Sequence, residues 1–257
     1  MKKGFIAVWT VAVLFAGLLF SGSAFAFHPL ITDDTGTQGK GKFQFEVNGQ
    51  YSHNRANGVT EKETEVAAAL TYGITDHIDI AVGVPYKFLS AKEGENKISH
   101  DGVSDAELDL KWQFYEHEGL SFALKPGVTF PTGDDDKGLG TGRTTYHLFF
   151  ITSKEVKPWA FHVNLGYIRN ENKADERKDI WHASLATEVE VSHSVKLVAD
   201  IGVEKNPDRA SSTNPAFILG GAIFTVSKSI DLDLGIKGGL NKAEPDYTIL
   251  AGITIKF

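Results

Sequence analysis

Apolar and polar residues alternate along most of the chain, most clearly at its end. One face of the predicted terminal strand carries Tyr247, Ile249, Ala251, Ile253, Ile255 and Phe257. The positions between them are mostly small or polar. A period of two places alternate side chains on opposite faces of a sheet. Repeated around a closed sheet with the apolar face outward, the pattern predicts an all-β fold, a transmembrane antiparallel β-barrel.

The alternation predicts twelve strands, each about long enough to cross a bilayer at a tilt. Their predicted ranges are 43–53, 64–74, 78–89, 104–115, 120–131, 143–152, 159–169, 179–191, 195–205, 215–227, 230–240 and 247–257. Short connections alternate with longer ones, which are predicted at 54–63, 90–103, 132–142, 170–178, 206–214 and 241–246. This order is expected when both termini are periplasmic and the long loops are external.

Aromatic residues near the strand ends predict a girdle at each membrane interface. The upper girdle would hold Tyr51, Tyr86, Phe130, Tyr167, Trp181, Phe217 and Tyr247, and the lower one Phe43, Tyr72, Trp112, Phe122, Trp159 and Phe257. Strands 143–152 and 215–227 break the pattern, because they place Phe149, Ile151, Ile218, Phe224 and Val226 on the supposed inner face. A register shift, a bulge or an internal plug is expected there.

A soluble, exported β-sandwich or lipocalin-like barrel would show the same alternation with its apolar face inward. Two features disfavour it. The interior of a twelve-stranded barrel is too wide for one layer of side chains to fill. The aromatic girdles and the terminal Phe257 would have no role in such a protein.

Residues 1–26 are predicted to be a cleaved secretory signal peptide. Lys2 and Lys3 precede an apolar run, and Ala24-Phe25-Ala26 forms a small-residue cleavage site before Phe27. An uncleaved membrane anchor is the disfavoured alternative. Without the two lysines the formal charge falls from −7 to −9, which disfavours nucleic acid as a partner. The chain has no cysteine, so it forms no disulfide.

Residues 27–42 precede the predicted barrel of residues 43–257. Gly36, Gly39 and Gly41 suggest that this segment is flexible. It is expected to be either a periplasmic tail or a plug inserted into the lumen, where Asp33 and Asp34 would meet lysines.

Charged and polar side chains of both signs fall on the predicted inner face. They either pair across the lumen and close it, or line a hydrated channel whose acid excess favours cations or neutral polar solutes. The candidate lumen-lining residues are Glu46, Glu65, Asp79, Lys87, Asp105, Glu107, Asp109, Lys111, Lys125, Arg143, His162, His182, Glu188, Lys196, Asp200, Asp231, Asp233 and Lys237.

The strongest lead for catalysis is His182-Ala183-Ser184, whose first and third side chains share one strand face. It resembles the H-x-S of the outer-membrane phospholipase A family. That family has an asparagine where this chain has Ser194, and its catalytic side chains face lipid. We therefore interpret His182 and Ser184 as lumen-lining and predict no enzyme activity.

No metal site or cofactor is predicted, because the nine histidines form no ligand-spaced cluster. The glycine-rich stretch 131–142 lacks the Gly-Lys-Ser/Thr ending of a phosphate loop. It is expected to be a solvated external loop; a contact to lipopolysaccharide through a divalent cation and a loop folded into the pore are the alternatives.

Several stretches carry a family resemblance. They are His28-Pro29-Leu30-Ile31-Thr32-Asp33-Asp34-Thr35-Gly36, Tyr72-Gly73-Ile74-Thr75-Asp76-His77-Ile78-Asp79-Ile80, Lys125-Pro126-Gly127-Val128-Thr129-Phe130-Pro131-Thr132-Gly133-Asp134 and Ile253-Thr254-Ile255-Lys256-Phe257. Together they resemble the family of outer-membrane transporters of the meta-pathway of phenol degradation. The resemblance implies uptake of aromatic or other hydrophobic compounds.

The sequence thus predicts a passive channel or transporter for small molecules in the outer membrane of a Gram-negative bacterium. A closed barrel with a structural or surface-binding role is the main alternative, and a lipid hydrolase is a weaker one. Expected partners are outer-membrane lipid and lipopolysaccharide, a small-molecule solute and the barrel assembly machinery. Phe257 resembles the terminal aromatic signal that this machinery reads.

Overall fold

The structure, a computed structural model, describes residues 28–257, so the predicted signal peptide lies outside the described residues. This part of the chain folds into strands and one 3-10 turn, Asp135–Lys137. No helix in it is long and apolar enough to cross a membrane. The strands are β1 (Phe43–Ala56), β2 (Val59–Gly73), β3 (Ile78–Glu93), β4 (Asn96–Val103), β5 (Ala106–His117), β6 (Leu120–Phe130), β7 (Thr145–Val156), β8 (Trp159–Arg169), β9 (Asp179–Ser192), β10 (Val195–Glu204), β11 (Ala216–Ser227), β12 (Ile230–Gly239) and β13 (Tyr247–Lys256).

The strands close into one antiparallel barrel. Except for β4 and β5, each strand pairs with the next along the chain, and β1 pairs with β13 from Gln44↔Lys256 to His53↔Tyr247. β4 and β5 both pair with β3, and they occupy a single position in the wall. The barrel therefore has twelve strand positions, which confirms the predicted fold class.

Two predicted long loops are instead β-hairpins. The loop expected at 54–63 is a two-residue turn, Asn57–Gly58, whose φ angles of 52° and 84° fit the tight hairpin turn that Asn-Gly favours. The loop expected at 90–103 is the turn between β3 and β4 together with β4 itself. β4 and β5 are separated at Ser104, which lies opposite Pro85 of β3. The pairing with β3 is interrupted there because proline has no N–H to give to the ladder.

The apolar faces point outward, as predicted. Large side chains that are well exposed in the isolated chain include Val82, Phe88, Trp112, Phe114, Trp159, Leu165, Trp181, Leu185, Leu197 and Ile201. Their alternate neighbours are mostly buried inside the barrel. An apolar band of this kind around a closed sheet is the surface that lipid covers.

The structure resolves the two strands of ambiguous phase. In β7, Phe149 and Ile151 do face inward. In β11 the phase is reversed: Ile218, Phe224 and Val226 face outward, and Phe217 is buried inside with 6 % exposure. The placement of Phe217 in the upper girdle was therefore wrong. Because β11 is apolar on both faces, only its pairing sets the phase.

The neighbours of β11 show how pairing sets it. Leu219 lies between Asp200 of β10 and Lys237 of β12. Both of these charged residues are buried inside the barrel. Leu219 must share their face, because directly opposed residues of antiparallel strands point the same way. Phe217, two residues away, then points inward as well.

Phe257 lies at the seam of the barrel, at the end with the short turns. Its backbone N–H donates to the Phe43 carbonyl at 2.9 Å, and its side chain is 70 % exposed. We expect deletion of Phe257 to lower the amount of protein in the outer membrane several-fold. The Phe43 N–H also donates to the Phe257 carbonyl, at 3.3 Å. The loss of these two edge hydrogen bonds costs only about 2 kcal/mol, so the barrels that do insert should be nearly as stable as the parent.

Quantitative blotting of outer-membrane fractions would measure this loss, and thermal unfolding of refolded protein would measure stability. A Phe257→Tyr variant is the matched control, because it keeps a terminal aromatic. Equal membrane levels of the deletion variant and the parent would contradict the role of Phe257 as an insertion signal.

Candidate functional site

The segment before β1 lies inside the barrel. The Asp200 carboxylate of β10 accepts hydrogen bonds from the backbone N–H groups of Ile31 and Thr32, both at 2.8 Å, and from the Thr32 hydroxyl at 2.7 Å. The Asn164 side chain of β8 both accepts from the Asp33 N–H and donates to its carbonyl, each at 2.8 Å. Residues 28–41 are called the plug segment below. These contacts hold the segment against inward-facing side chains of β8 and β10.

Salt bridges hold the middle of the plug segment. The Asp33 carboxylate is nearly buried and lies 2.8 Å from Lys111 of β5 and 3.2 Å from Lys125 of β6. Asp34 is more exposed and lies 3.6 Å from Lys111. Two residues on, the Thr35 hydroxyl is 2.5 Å from the Ser121 hydroxyl. The plug is thus attached to strands on several sides of the lumen.

Glycines of the wall make room for the plug. Gly221 of β11 and Gly235 of β12 are paired, and a Cβ atom at either would lie 2.9 Å from Pro29. At the short-turn end, a Cβ atom on Gly73 would overlap the backbone of Gly39. At these three glycines the plug segment packs so closely against the wall that a side chain in the wall would not fit.

A cavity of about 210 Å³ lies between the plug segment and the long loops. Part of its wall is apolar and is formed by Leu30, Ile31, Phe149, Ile151, Phe217 and Leu250. The rest is polar and includes Glu65, Lys87, Glu107, Lys125, His147, His182 and Glu204. A concave site with an apolar wall and a few polar groups is suited to a small, largely apolar molecule.

The structure places most of the candidate lumen-lining residues on the inner face. The buried ones are Glu46, Glu65, Asp79, Lys87, Asp105, Asp109, Lys125, His162, His182, Glu188, Asp200, Asp233 and Lys237. Glu107, Lys111, Lys196 and Asp231 are partly buried. Many of these charges are paired, for example Lys87 with Glu63 and Glu65 at 3.1 and 3.3 Å, and Lys237 with Glu244 at 2.7 Å.

Arg143 is the exception. It is exposed in the long loop before β7 and does not line the lumen, because β7 begins at Thr145 rather than at 143. Gly142 adopts a left-handed conformation with φ of 68°, and the Arg143 N–H donates to the Thr141 hydroxyl at 3.5 Å. This local turn delays the start of the strand.

Asp105 organises the long loop 131–144. Its carboxylate accepts hydrogen bonds from the Gly133 N–H at 2.9 Å, the Thr141 N–H at 2.7 Å and the Thr141 hydroxyl at 2.8 Å. Leu139 of the same loop is buried against Val59, Leu89 and Ala91. The loop is therefore folded onto the barrel mouth, and Gly140 and Thr141 line the cavity.

His182 and Ser184 face inward, as predicted. His182 Nε2 lies 3.0 Å from the Ser184 hydroxyl, and His182 Nδ1 lies 3.2 Å from Glu204. The three side chains have the order of a serine–histidine–acid triad. The backbone N–H groups around Ser184 are used in the β8–β9–β10 ladders, so in the part of the chain described here no free donors form an oxyanion hole beside it.

The long loop 170–178 contains a buried acid, Glu176. Burial, reinforced by the Asp208 carboxylate, raises the pKa of Glu176 to about 7, although a hydrogen bond from Asn170 partly opposes this rise. The folded pKa lies above the ordinary value of 4.5. Protonated Glu176 therefore stabilises the folded state fully below about pH 4.5, and this stabilisation is lost as the pH rises through 7.

We expect the amides of loop 170–178 to exchange faster at pH 8 than at pH 5, after correction for intrinsic rates. Hydrogen–deuterium exchange with mass spectrometry measures this difference. Glu176→Gln should remove it, whereas Glu171→Gln, at an acid that pairs with Lys178 at 2.8 Å, should retain it. A difference that survives Glu176→Gln would contradict the assignment.

Sequence reasoning missed the neutral residues that hold the plug, such as Asn164 and Ser153, which differ in no visible way from other polar inward positions. It also missed the proximity of Glu107, Asp109 and His147. The spacing of Glu107 and Asp109 places them on one face, but His147 lies two strands away and joins them only through the register.

Comparison with solved structures finds other outer-membrane barrels. A crystal structure of an outer membrane channel from Pseudomonas putida F1 matches with a TM-score of 0.69 and 16 % identity, over 87 % of this chain and 98 % of that one. The KdgM porin matches with a TM-score of 0.54 and 6 % identity, over 83 % and 99 %. The translocator domain of autotransporter NalP from Neisseria meningitidis matches with a TM-score of 0.53 and 12 % identity, over 85 % and 89 %. At these identities the likeness establishes the fold.

No curated protein matches the chain in sequence. A family model does, over residues 29–257, which include the plug segment from Pro29 onward and the whole barrel. Its description is "Putative MetA-pathway of phenol degradation". The match agrees with the resemblance carried by the turn and strand-end motifs. The chain is an outer-membrane β-barrel and belongs to this family.

Proposed function

We propose that the protein is a passive outer-membrane channel for small, largely apolar molecules, with aromatic compounds as the preferred class. The observation that carries the proposal is the cavity between the plug segment and the long loops. Phe149, Ile151 and Phe217 give it an apolar wall, although the lumen is otherwise rich in charge. Such a wall favours the transfer of apolar solutes from water. The family description, which names phenol degradation, supports aromatic solutes.

Permeation into liposomes that contain refolded protein and carry lipopolysaccharide in their outer leaflet tests this function, because a plain phospholipid bilayer is itself permeable to small apolar molecules. Phenol and toluene should equilibrate faster with these liposomes than with protein-free ones, by more than a neutral sugar of similar size does. Phe149→Ser should reduce the effect, and Phe149→Leu should preserve it, because leucine keeps the wall apolar. Equal permeation of aromatic and sugar solutes, or equal rates for the two variants, would count against the proposal.

A closed barrel with a structural or surface-binding role is the second candidate. The hydrogen bonds and salt bridges of Thr32, Asp33 and Thr35 favour it, because they hold the plug in the lumen. In that case the folded protein would show no solute-dependent permeation at all. We also propose outer-membrane lipid, lipopolysaccharide and the barrel assembly machinery as partners. We propose no catalytic role.

A further inference from the structure

Three neighbouring strands place an acid and a histidine in one row on the inner face. Asp109 of β5 pairs with Gly127 of β6, and Gly127 pairs with His147 of β7. Strands in a sheet lie about 4.8 Å apart, so the outer two residues are separated by roughly twice that distance along the row. Gly127 has no side chain, and the two side chains meet above it. Asp109 Oδ1 lies 2.7 Å from His147 Nε2.

Glu107 joins this pair from the same strand face. Its Oε1 lies 4.0 Å from His147 Nε2, and one ligand atom from each of the three residues falls within 4.8 Å of the others. Asp109 is 2 % exposed, and the partner of its second oxygen, Oδ2, is the Lys125 ammonium at 3.2 Å. Glu107 and His147 line the cavity, so a solute of the lumen can reach the group.

The charges around the group leave room for a cation. Lys125 lies 3.2 Å from Asp109 Oδ2 and also 3.2 Å from Asp33, while Lys111 pairs with Asp33 and Asp34. The four carboxylates of Asp33, Asp34, Glu107 and Asp109 and the two ammonium groups of these lysines leave a formal charge of −2. The positive charge of Lys125 disfavours a second cation at Asp109. When a metal ion displaces the Lys125 ammonium from Asp109, Lys125 keeps its salt bridge to Asp33.

We propose that Glu107, Asp109 and His147 bind a divalent transition-metal ion, with Zn²⁺ as the model ion. One imidazole nitrogen and two carboxylates suit Zn²⁺, Ni²⁺ or Cu²⁺ better than Mg²⁺ or Ca²⁺, which prefer oxygen ligands alone. Zn²⁺ takes such ligands at about 2.0–2.2 Å. His147 and Asp109 separate slightly to admit the ion, and a water molecule from the cavity completes a tetrahedral site.

Equilibrium binding of Zn²⁺ to refolded, tag-free protein in detergent tests the site without reference to transport. The parent should bind one Zn²⁺ per chain. At the same Zn²⁺ concentration, His147→Ala should not bind this ion. The expected loss of affinity on removing a ligand is at least about tenfold. Electron paramagnetic resonance of bound Cu²⁺ should show one coordinating imidazole in the parent and none in His147→Ala.

Two further variants separate coordination from general damage. His182→Ala removes another inward histidine paired with a carboxylate, at Glu204, and should bind Zn²⁺ as the parent does. Gly127→Ala keeps all three ligands but puts a Cβ atom onto both the Asp109 and His147 side chains, and it should abolish binding. Each variant is compared only when it shows the heat-modifiable electrophoretic mobility of a folded barrel. Equal titrations of the parent and His147→Ala, or an equal loss in His182→Ala, would overturn the proposal.

Discussion

A barrel without residues 28–38 is expected to conduct ions several-fold better than the parent in planar bilayers. These residues fill the lumen and pair with Asp200, Asn164, Lys111 and Lys125 of the wall. A twelve-stranded barrel is too wide for its own inward side chains to close. Removing the segment therefore leaves an aqueous path past the short-turn end, and single-channel conductance measures it.

A variant that replaces residues 31–35 with glycine and serine is the matched control. It keeps the length of the chain and the backbone hydrogen bonds to Asp200, Asn164 and Ser153, but it loses the side-chain contacts of Thr32, Asp33 and Thr35, so it should flicker between closed and open levels. An unchanged conductance in the folded deletion variant would contradict the view that the plug closes the lumen. It would place the constriction instead at the loop 131–144, which Leu139 anchors at the barrel mouth.

The sequence predicted the barrel because its signal is repeated in most strands. Where one face is apolar and the other charged, as in β5, the period of two determines both the strand and its orientation. The sequence-based prediction fails for β11, because both faces of this strand are apolar. It places Phe217 on the lipid side. It also failed for Asn57–Gly58, where a tight turn was read as part of a long loop.

The site was less predictable, because it depends on contacts between strands that are far apart in sequence. The pattern identifies Asp33 as an acid near lysines but does not select Lys111 and Lys125 from the others. Likewise, Asp109 and His147 meet only because Gly127 lies between them in the register. The pattern in a single sequence shows which residues share one face of a strand. Which residues lie side by side on neighbouring strands depends on the register between those strands, and the pattern does not give it.

Asp33→Asn should weaken the closed state of the plug without removing any of its backbone contacts. The substitution takes a charged partner from Lys111 and Lys125, although each lysine keeps another carboxylate, Asp34 and Asp109 respectively. Hydrogen bonds to charged groups contribute about 1.5–3 kcal/mol. A loss of this size raises the ratio of open to closed molecules by about tenfold to a hundredfold. The open probability in single-channel recordings measures this change.

Asp34→Asn is the matched control one residue away. The Asp34 side chain is 26 % exposed and lies 3.6 Å from Lys111, so its ion pair is worth about 0–1 kcal/mol. It should raise the open probability only slightly. If the two variants open equally often, the negative charge of the segment as a whole holds the plug, and the specific role of Asp33 is wrong. If only Asp33→Asn opens the barrel, the buried bridge to Lys111 and Lys125 is the contact that keeps it closed.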